Sequence, residues 1–442
     1  MGASAALGSG ADRPPTCFTR NISFRKTKGV SPMARKAKRD LTIEQKLARG
    51  PIDLPFLALV MLLTAVGLIM VLSASYASAM LNLTPKVTDT GGDPLYYFKR
   101  QFGFAMLGVG AMFIISKIDY QHFRWMSVFA LGGSIVLMAL VFVPGIGRSG
   151  GGALRWVNIF GIRFQPSEIA KVGVIMFFSA GLSKRTGQVG PPKKWSKRTF
   201  TGRMAARLDR VGLLELIPYG LVLAVVLGII AMQHHMSAMV LIVVASASVL
   251  FASGISLGWF AAGGALVSGA LVWIITQTEY MTERVTIWRD PFSDPKGDGF
   301  QPIQSMTSIG SGGLLGVGLG NSRQKYAFLP EEHNDYIFAI VCEELGMVGA
   351  CVIIALFALL IIRGFWLALH ARDRFGTLLI VGITSLTAFQ TFFNIGVVTN
   401  FLPPTGISLP FFSYGGTALA IQLAEMGMVL SVSRQIAAPR AE

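Results

Sequence analysis

Charge is scarce in this sequence. Asp, Glu, Lys and Arg make up 14% of its 442 residues, where a soluble domain carries roughly a quarter. Hydrophobic residues make up 52%, and mean hydropathy is +0.57. Runs of eighteen or more mostly apolar residues recur along the chain, each long enough for a membrane helix. A soluble enzyme is thereby excluded, and the fold class is an all-α polytopic membrane protein.

Cysteine is nearly absent. Cys17, Cys342 and Cys351 supply neither a disulfide framework nor a metal cluster, and the last two share an apolar segment where they read as small buried residues. There is no HExxH, no G-x-S-x-G and no Walker motif. Those absences remove the zinc-protease, serine-hydrolase and ATP-driven classes. Acids are outnumbered, 23 against 39 Lys and Arg. The excess basic residues lie beside apolar runs, where they orient helices and meet anionic headgroups, so no nucleic acid is implied.

In chain order, residues 1–52 form a basic tail without the apolar core of a secretory signal. Its first 32 residues are either a disordered tail or lie before a true start at Met33. About ten spans are expected, near Leu54–Ser75, Gln101–Ile118, Phe123–Val143, Pro166–Leu182, Leu213–Met232, Met239–Gly254, Leu257–Thr276, Asp335–Leu367, Thr377–Val398 and Gly416–Val432. They define a transmembrane domain over 53–434, with a short tail at 435–442. A glycine-rich loop is expected before the fourth span. Residues 277–334 form a large loop between spans seven and eight, whose aromatic content argues for an ordered fold against the membrane. The stretch 401–416, FLPPTGISLPFFSYGG, reads as re-entrant or as a tight surface loop. No internal repeat is visible.

With both ends inside, 27 Lys and Arg fall on inner segments and 11 on outer ones, Lys171 lying within a span. That asymmetry predicts cytoplasmic termini and an extracytoplasmic 277–334 loop.

The most informative stretch is Arg323–Gly346, RQKYAFLPEEHNDYIFAIVCEELG. Glu331, Glu332, His333 and Asp335 crowd a junction between loop and apolar helix, and Glu343 and Glu344 follow inside the helix. Acids at or within a hydrocarbon layer read as functional by default. Asp335 at a helix start is either a cap or a general base for a hydroxyl nucleophile, kept ionised by the helix end. His333 is its hydrogen-bond partner or a plain loop residue. Glu168 and Lys171, three apart on one helix face, are a structural pair or a cationic hold for phosphate. Arg155 and Trp156 suit a phosphorylated, sugar-bearing headgroup. Arg284, Arg289, Lys296, Arg323 and Lys325 place further cations on the outer face, against the topology rule, which a pyrophosphate ligand would explain. His234 and His235 read as a polar turn. The glycines at 310, 312, 313, 316, 318 and 320 read as a flexible loop.

At these residues the chain resembles the SEDS family (shape, elongation, division and sporulation). The resemblance covers about Gly50 to Gln435 and rests on MVLSAS, GALRWVNI…QPSEIAK, DPKGDGFQPIQS, GLGNSRQK, LPEEHNDYIFAIVCEELG and LPFFSYGG in the family order. MVLSAS and PLYYFKRQ favour the division-type branch over the elongation type, and the sporulation type is nearly indistinguishable. The resemblance implies an inverting peptidoglycan glycosyltransferase at the outer face of the bacterial cytoplasmic membrane, active at the division septum. Its substrate would be lipid II. The acceptor GlcNAc 4-hydroxyl attacks C1 of the donor MurNAc and expels undecaprenyl pyrophosphate. The family's essential acid falls on Asp335. Arg155, Trp156, Glu168, Lys171, Arg284, Lys325, Glu331, His333 and Glu344 match positions expected to bind substrate. A divalent cation, Mg²⁺ or Mn²⁺, is implied without assignable ligands. So are a class B penicillin-binding protein and other divisome membrane proteins as partners. Two departures stand out: Asn334-Asp335-Tyr336 replaces Thr-Asp-Phe, and His234-His235 replaces a Pro-Asp pair, so no role of that family Asp carries over. The rival readings are a lipid II flippase and a non-catalytic scaffold for the transpeptidase.

Overall fold

The computed structural model describes residues 50–81, 90–150, 153–159, 162–184, 213–255, 257–277, 279–326 and 328–436. The N-terminal tail up to residue 49, the basic stretch 185–210 and the end of the C-terminal tail lie outside the described residues.

Helices stand wherever an apolar run was expected. In order they are α1 (Leu54–Met80), α2 (Tyr96–Lys117), α3 (Gln121–Leu140), α4 (Pro166–Leu182), α5 (Leu213–Met232), α6 (Met236–Ala252) and α7 (Leu257–Gln277). Two shorter helices, α8 (Glu279–Arg289) and α9 (Phe300–Gly312), occupy the large loop. After them come α10 (Ile337–His370), α11 (Arg374–Val398) and α12 (Gly416–Ile436). Among the described residues α1, α2, α3, α10, α11 and α12 are long and apolar enough to cross a membrane. With no water in a bilayer core, each such segment must pair its own backbone polar groups, and the helix does so. α12 lies along α2, α3 along α4, and α11 against α10 and α6.

One end of the bundle is closed by ordinary caps. Asp53 precedes α1, and its carboxylate accepts from Phe56 N at 2.9 Å and from Arg363 of α10 at 3.1 and 2.5 Å. Asp373 precedes α11 and accepts from Gly376 N, Tyr120 Oη and Gln121 Nε2, each at 2.9 Å. Both carboxylates satisfy orphan N–H groups of a first turn.

The other end carries the connections. The expected glycine-rich loop before α4 is in fact a three-stranded antiparallel sheet: β1 (Gly147–Gly150), β2 (Ala153–Ile159) and β3 (Ile162–Phe164), in order β1-β2-β3. Glycine density suggested a loop, but Leu-Arg-Trp-Val-Asn-Ile is rich in strand formers, and pairing Val157 with Gly147 and Phe164 consolidates it.

The glycine segment after α9 is built into α10 rather than left flexible. At Gly346 (φ 68°) the helix breaks, and the carbonyls of Glu343 and Glu344 lose their helical donors. Val317 N and Gly318 N replace them, at 3.0 and 3.1 Å. The freed N–H groups of Met347 and Val348 donate to Gly313 and Leu314 carbonyls at 2.9 and 3.1 Å. Backbone groups that a kink would orphan are thus satisfied by an inserted loop. This fit needs bare backbone: a Cβ on Gly316 would stand 2.1 Å from the Glu344 carbonyl oxygen.

The 401–415 segment is re-entrant. Phe411 and Phe412 are buried against Phe357, in the middle of α10. Gly67, midway along α1, meets the Phe411 carbonyl so closely that a Cβ would lie 2.3 Å from its oxygen. Gly67 is about 20 Å along α1 from its loop-side end, so the chain dips well into the bundle.

Candidate active site

Asp335 lies at the loop side of α10, just before its first turn. Asn394 Nδ2 of α11 donates to the Asp335 carbonyl at 2.7 Å and to the Ile407 carbonyl at 2.8 Å. The amide therefore locks the junction to the re-entrant segment. The Asp335 side chain behaves differently. It keeps part of its surface accessible and accepts no hydrogen bond among the described residues. α10 itself has no side-chain cap; its first residue follows Tyr336. A Cβ at Gly406 would come within 3.3 Å of Asp335 Oδ2, so the re-entrant segment forms the wall beside the carboxylate.

Burial, and then the nearby negative charge of Glu331, push the Asp335 carboxyl up to about 6, against the opposing pull of Arg155 and His333. The group is thus still ionised at neutral pH, but its charge is held less firmly than that of an ordinary aspartate. Removal from water outweighs the helix dipole, whose stabilisation is only of order 1 kcal/mol.

Around it, Glu331 adopts φ 56° and bonds Asn334. His333 is held between aromatic rings, 4.5 Å from Tyr97 and 5.7 Å from Tyr414 by centroid, and its carbonyl accepts from Tyr414 N at 2.8 Å. Its Nδ1 is 3.4 Å from Glu332, which also accepts from Ser78 of α1. Arg155 reaches from β2 to the His234 carbonyl at 3.1 Å, while Trp156 sits half-buried on the opposite face of that strand. Arg284 of α8 donates to the Pro404 carbonyl at 2.7 Å, bracing the re-entrant segment from outside.

The His234-His235 turn is polar, as read, and is also tied in. His235 is buried, within 3.1 Å of Gln165 and 3.3 Å of Ser167. Burial first, then Arg155 and Lys171, hold it down at about 3, so it is neutral at any working pH.

Lys171 is only 2% exposed and pairs with Glu168 at 2.8 Å. Both line an open cleft of about 430 Å³ between α4, α11, α12 and the re-entrant segment. Arg155 acts on both Asp335 and His235, and Lys171 on His235. The charged groups thus run continuously from the α10 junction to this cleft.

Lys325 and Glu344 go elsewhere. Lys325 Nζ bonds the Gly320 carbonyl at 2.5 Å and Glu344 at 3.3 Å. Glu344 also accepts from Ser73 Oγ of α1 at 2.7 and 2.6 Å. Its neighbour Glu343 accepts from Ser308 Oγ, Ser322 Oγ and Arg323 N at 3.1, 2.5 and 2.9 Å. Ser73, Ser308, Ser322, Lys325, Glu343 and Glu344 are all buried. This network fastens the glycine segment into the break in α10, and it makes no hydrogen bond to Asp335.

Sequence reasoning passed over three groups: Gln390, Asn394 and Glu425. The signal for Glu425 was present, as a lone acid inside the last apolar run. For the two amides there was none beyond their polarity. No set of three His, Cys, Asp or Glu among the described residues is arranged to hold a metal. Mg²⁺ needs only one or two protein carboxylates where phosphate oxygens and water complete its shell.

A helical membrane bundle with an unbonded carboxylate at one junction, flanked by arginines and a charged cleft, defines the class: a membrane-embedded enzyme-like site facing one side. The chain belongs to the FtsW/RodA/SpoVE family of cell cycle proteins, whose model matches residues 53–438. A probable peptidoglycan glycosyltransferase FtsW of Geobacter sulfurreducens is 37% identical over 384 residues, 87% of this chain and 95% of the relative. Stage V sporulation protein E of Bacillus subtilis is 36% identical over 382 residues, 86% and 97% of the two chains. Among solved structures, a chain of a peptidoglycan synthase complex, described for its coordination of polymerization and crosslinking, matches with TM-score 0.66 and 28% identity. It covers 87% of this chain and 98% of that one. The rod shape determining protein RodA of Thermus thermophilus matches with TM-score 0.58 and 25% identity, over 87% and 97%.

Proposed function

We propose that this protein is an inverting peptidoglycan glycosyltransferase that polymerises lipid II at the outer face of the bacterial cytoplasmic membrane during cell division. Family membership and the names of its relatives support the enzyme class. The observation that carries the site is the Asp335 carboxylate: partly accessible, without a hydrogen bond, and raised to about 6.

A carboxylate with that value is ionised at neutral pH and is a better proton acceptor than an ordinary aspartate. Asp335 takes the proton of the acceptor GlcNAc 4-hydroxyl as its oxygen bonds to C1 of the donor MurNAc. The C1–O bond to pyrophosphate breaks, its electron pair leaves with the lipid pyrophosphate, and C1 inverts. Arg155 and Arg284 flank the junction and supply positive charge where the leaving group gains negative charge. His333, wedged between Tyr97 and Tyr414, positions the turn that carries Asp335. Glu168 and Lys171 sit in the adjoining cleft, and Lys171 supplies a cation for the substrate's phosphates. Lys325 and Glu344 contribute by holding the large loop in place. A class B penicillin-binding protein is the proposed partner, in keeping with the synthase complex that this fold resembles. The positive-inside asymmetry supports the outward orientation of the site.

The test is glycan-strand synthesis from purified lipid II, with a catalytically dead transpeptidase partner and Mg²⁺ or Mn²⁺. Wild type makes polymer and Asp335→Asn, folded and complexed, makes none. Equal polymer from both removes Asp335 as the base. No polymer from either, with lipid II crossing vesicle membranes, turns the reading to transport.

A further inference from the structure

The cleft beside the active site contains two polar groups that the structure leaves without partners. Glu425 of α12 is 4% exposed and Gln390 of α11 is 8% exposed. Both side chains line the cleft, and neither makes a hydrogen bond or ion pair among the described residues. Buried polar groups are ordinarily satisfied, and a buried carboxylate more stringently than any. Glu425 lies roughly 14 Å along α12 from its loop-side end, too deep for bulk water to solvate it freely.

The charges that act on Glu425 are Lys171 and Glu168. Lys171 is already engaged with Glu168 at 2.8 Å. With both carboxylates ionised, the two carboxylates and one ammonium carry a single uncompensated negative charge. A monovalent cation makes the cluster neutral, whereas a divalent one would leave a buried positive charge. The Glu425 carboxylate and the Gln390 amide oxygen are hard oxygen donors, of the type that hard cations take. The remaining lining includes Ser408 beside Leu409, Pro410, Phe411 and Leu419, and Ser413 Oγ is already taken by Leu409 N at 2.7 Å.

We propose that this cleft is a binding site for one monovalent cation, with Glu425 and the Gln390 carbonyl as ligands and Glu168 balancing Lys171 beside them. A proton on Glu425 would settle that group alone. A cation shared with Gln390 settles both orphaned side chains at once. Asp335 is not among the residues that line this cleft. The bound ion would pull Glu425 away from Lys171 and leave Lys171 on Glu168. Occupancy would therefore set how that pair presents its charge to the active site.

The experiment uses the full chain in lipid nanodiscs, independent of any polymerase assay, so its outcome does not depend on the proposed enzymatic activity. Thermal unfolding is followed in NaCl, KCl and N-methylglucamine chloride at equal ionic strength, together with radiolabelled Na⁺ binding and a pH series. Wild type is expected to melt several degrees higher in Na⁺ or K⁺, saturably, and to bind one ion per chain. Glu425→Gln, a neutral isostere, should fold and lose both responses, and Gln390→Ala should bind about tenfold more weakly, on the order of one lost ligand. Wild-type stability that follows pH alone, with no response to alkali ions, overturns the proposal in favour of a proton. An undiminished response in Glu425→Gln also overturns it, by placing the ion elsewhere.

Discussion

Asp53, Asp373 and Asp335 each precede a long helix, and they do different work. Asp53 and Asp373, at one end of the bundle, accept three hydrogen bonds each, from first-turn N–H groups and from neighbouring helices. Asp335, at the other end, accepts none and is raised to about 6. The first two are caps in the ordinary sense and hold α1 and α11 to the bundle. Asp335 stands one residue further out, with Tyr336 at the cap position of α10, and is left with a free carboxylate in a setting that disfavours its charge. What surrounds one residue type thus leaves its carboxylates satisfied at one end and unpaired at the other.

The comparison breaks most sharply at Asp335. Asp335→Asn should abolish strand synthesis, a loss of at least 10²–10⁴-fold for a general base, while the protein stays folded. Because the folded pKa is raised, the charged form is penalised in the native state at neutral pH. Removing that charge should leave stability unchanged or raise it, on the order of 1–3 kcal/mol. A melting curve lowered by this substitution would make Asp335 a structural residue like the other two.

Next in size is the buried pair. Lys325→Ala leaves Glu344 without its cation and should cost about 3–5 kcal/mol, seen as early proteolysis of residues 313–330 and a lowered melting temperature. Turnover per folded molecule should then fall only in proportion to loop disorder. A selective rise in KM with a normal melting curve would return Lys325 to a substrate-binding role.

The pH profile comes third. The carboxylate must be ionised to accept a proton, so the rate should be level above about pH 7. Below about 6 it should fall roughly tenfold per unit, and Asp335→Glu should shift that inflection. His235, held at about 3, contributes nothing in this window. An inflection absent between pH 5 and 7 would contradict the environment found here for Asp335.

The smallest effect is expected at the capped end. Asp53→Asn keeps a capping oxygen but loses the charge toward Arg363, a partly exposed pair, and should cost about 0.5–1 kcal/mol with activity unchanged. Measuring Asp53→Asn beside Asp335→Asn sets the two ends against each other with one chemical change.

The helices were legible in sequence because their signal is local. A run such as Leu54–Met80 must form a helix in any apolar solvent, since no other backbone arrangement pairs its own polar groups. The motif order likewise pointed to the family, and to Asp335 as its acid. The sheet at 147–164 was not legible, because glycines mask strand propensity until the pairing partners are known. Nor was the difference between Asp335 and Glu344, nine residues apart in one acidic stretch. That difference depends on Ser73, 271 residues away in sequence, and on a loop inserted where α10 breaks. That Lys171, Glu168 and Glu425 line one cleft is decided in the same way, by α4 and α12 facing it. Composition and local periodicity were enough to determine a membrane-spanning helical bundle. Which charges are satisfied and which remain available was decided only by tertiary structure, because a buried group's chemistry is set by the partners that distant segments bring to it.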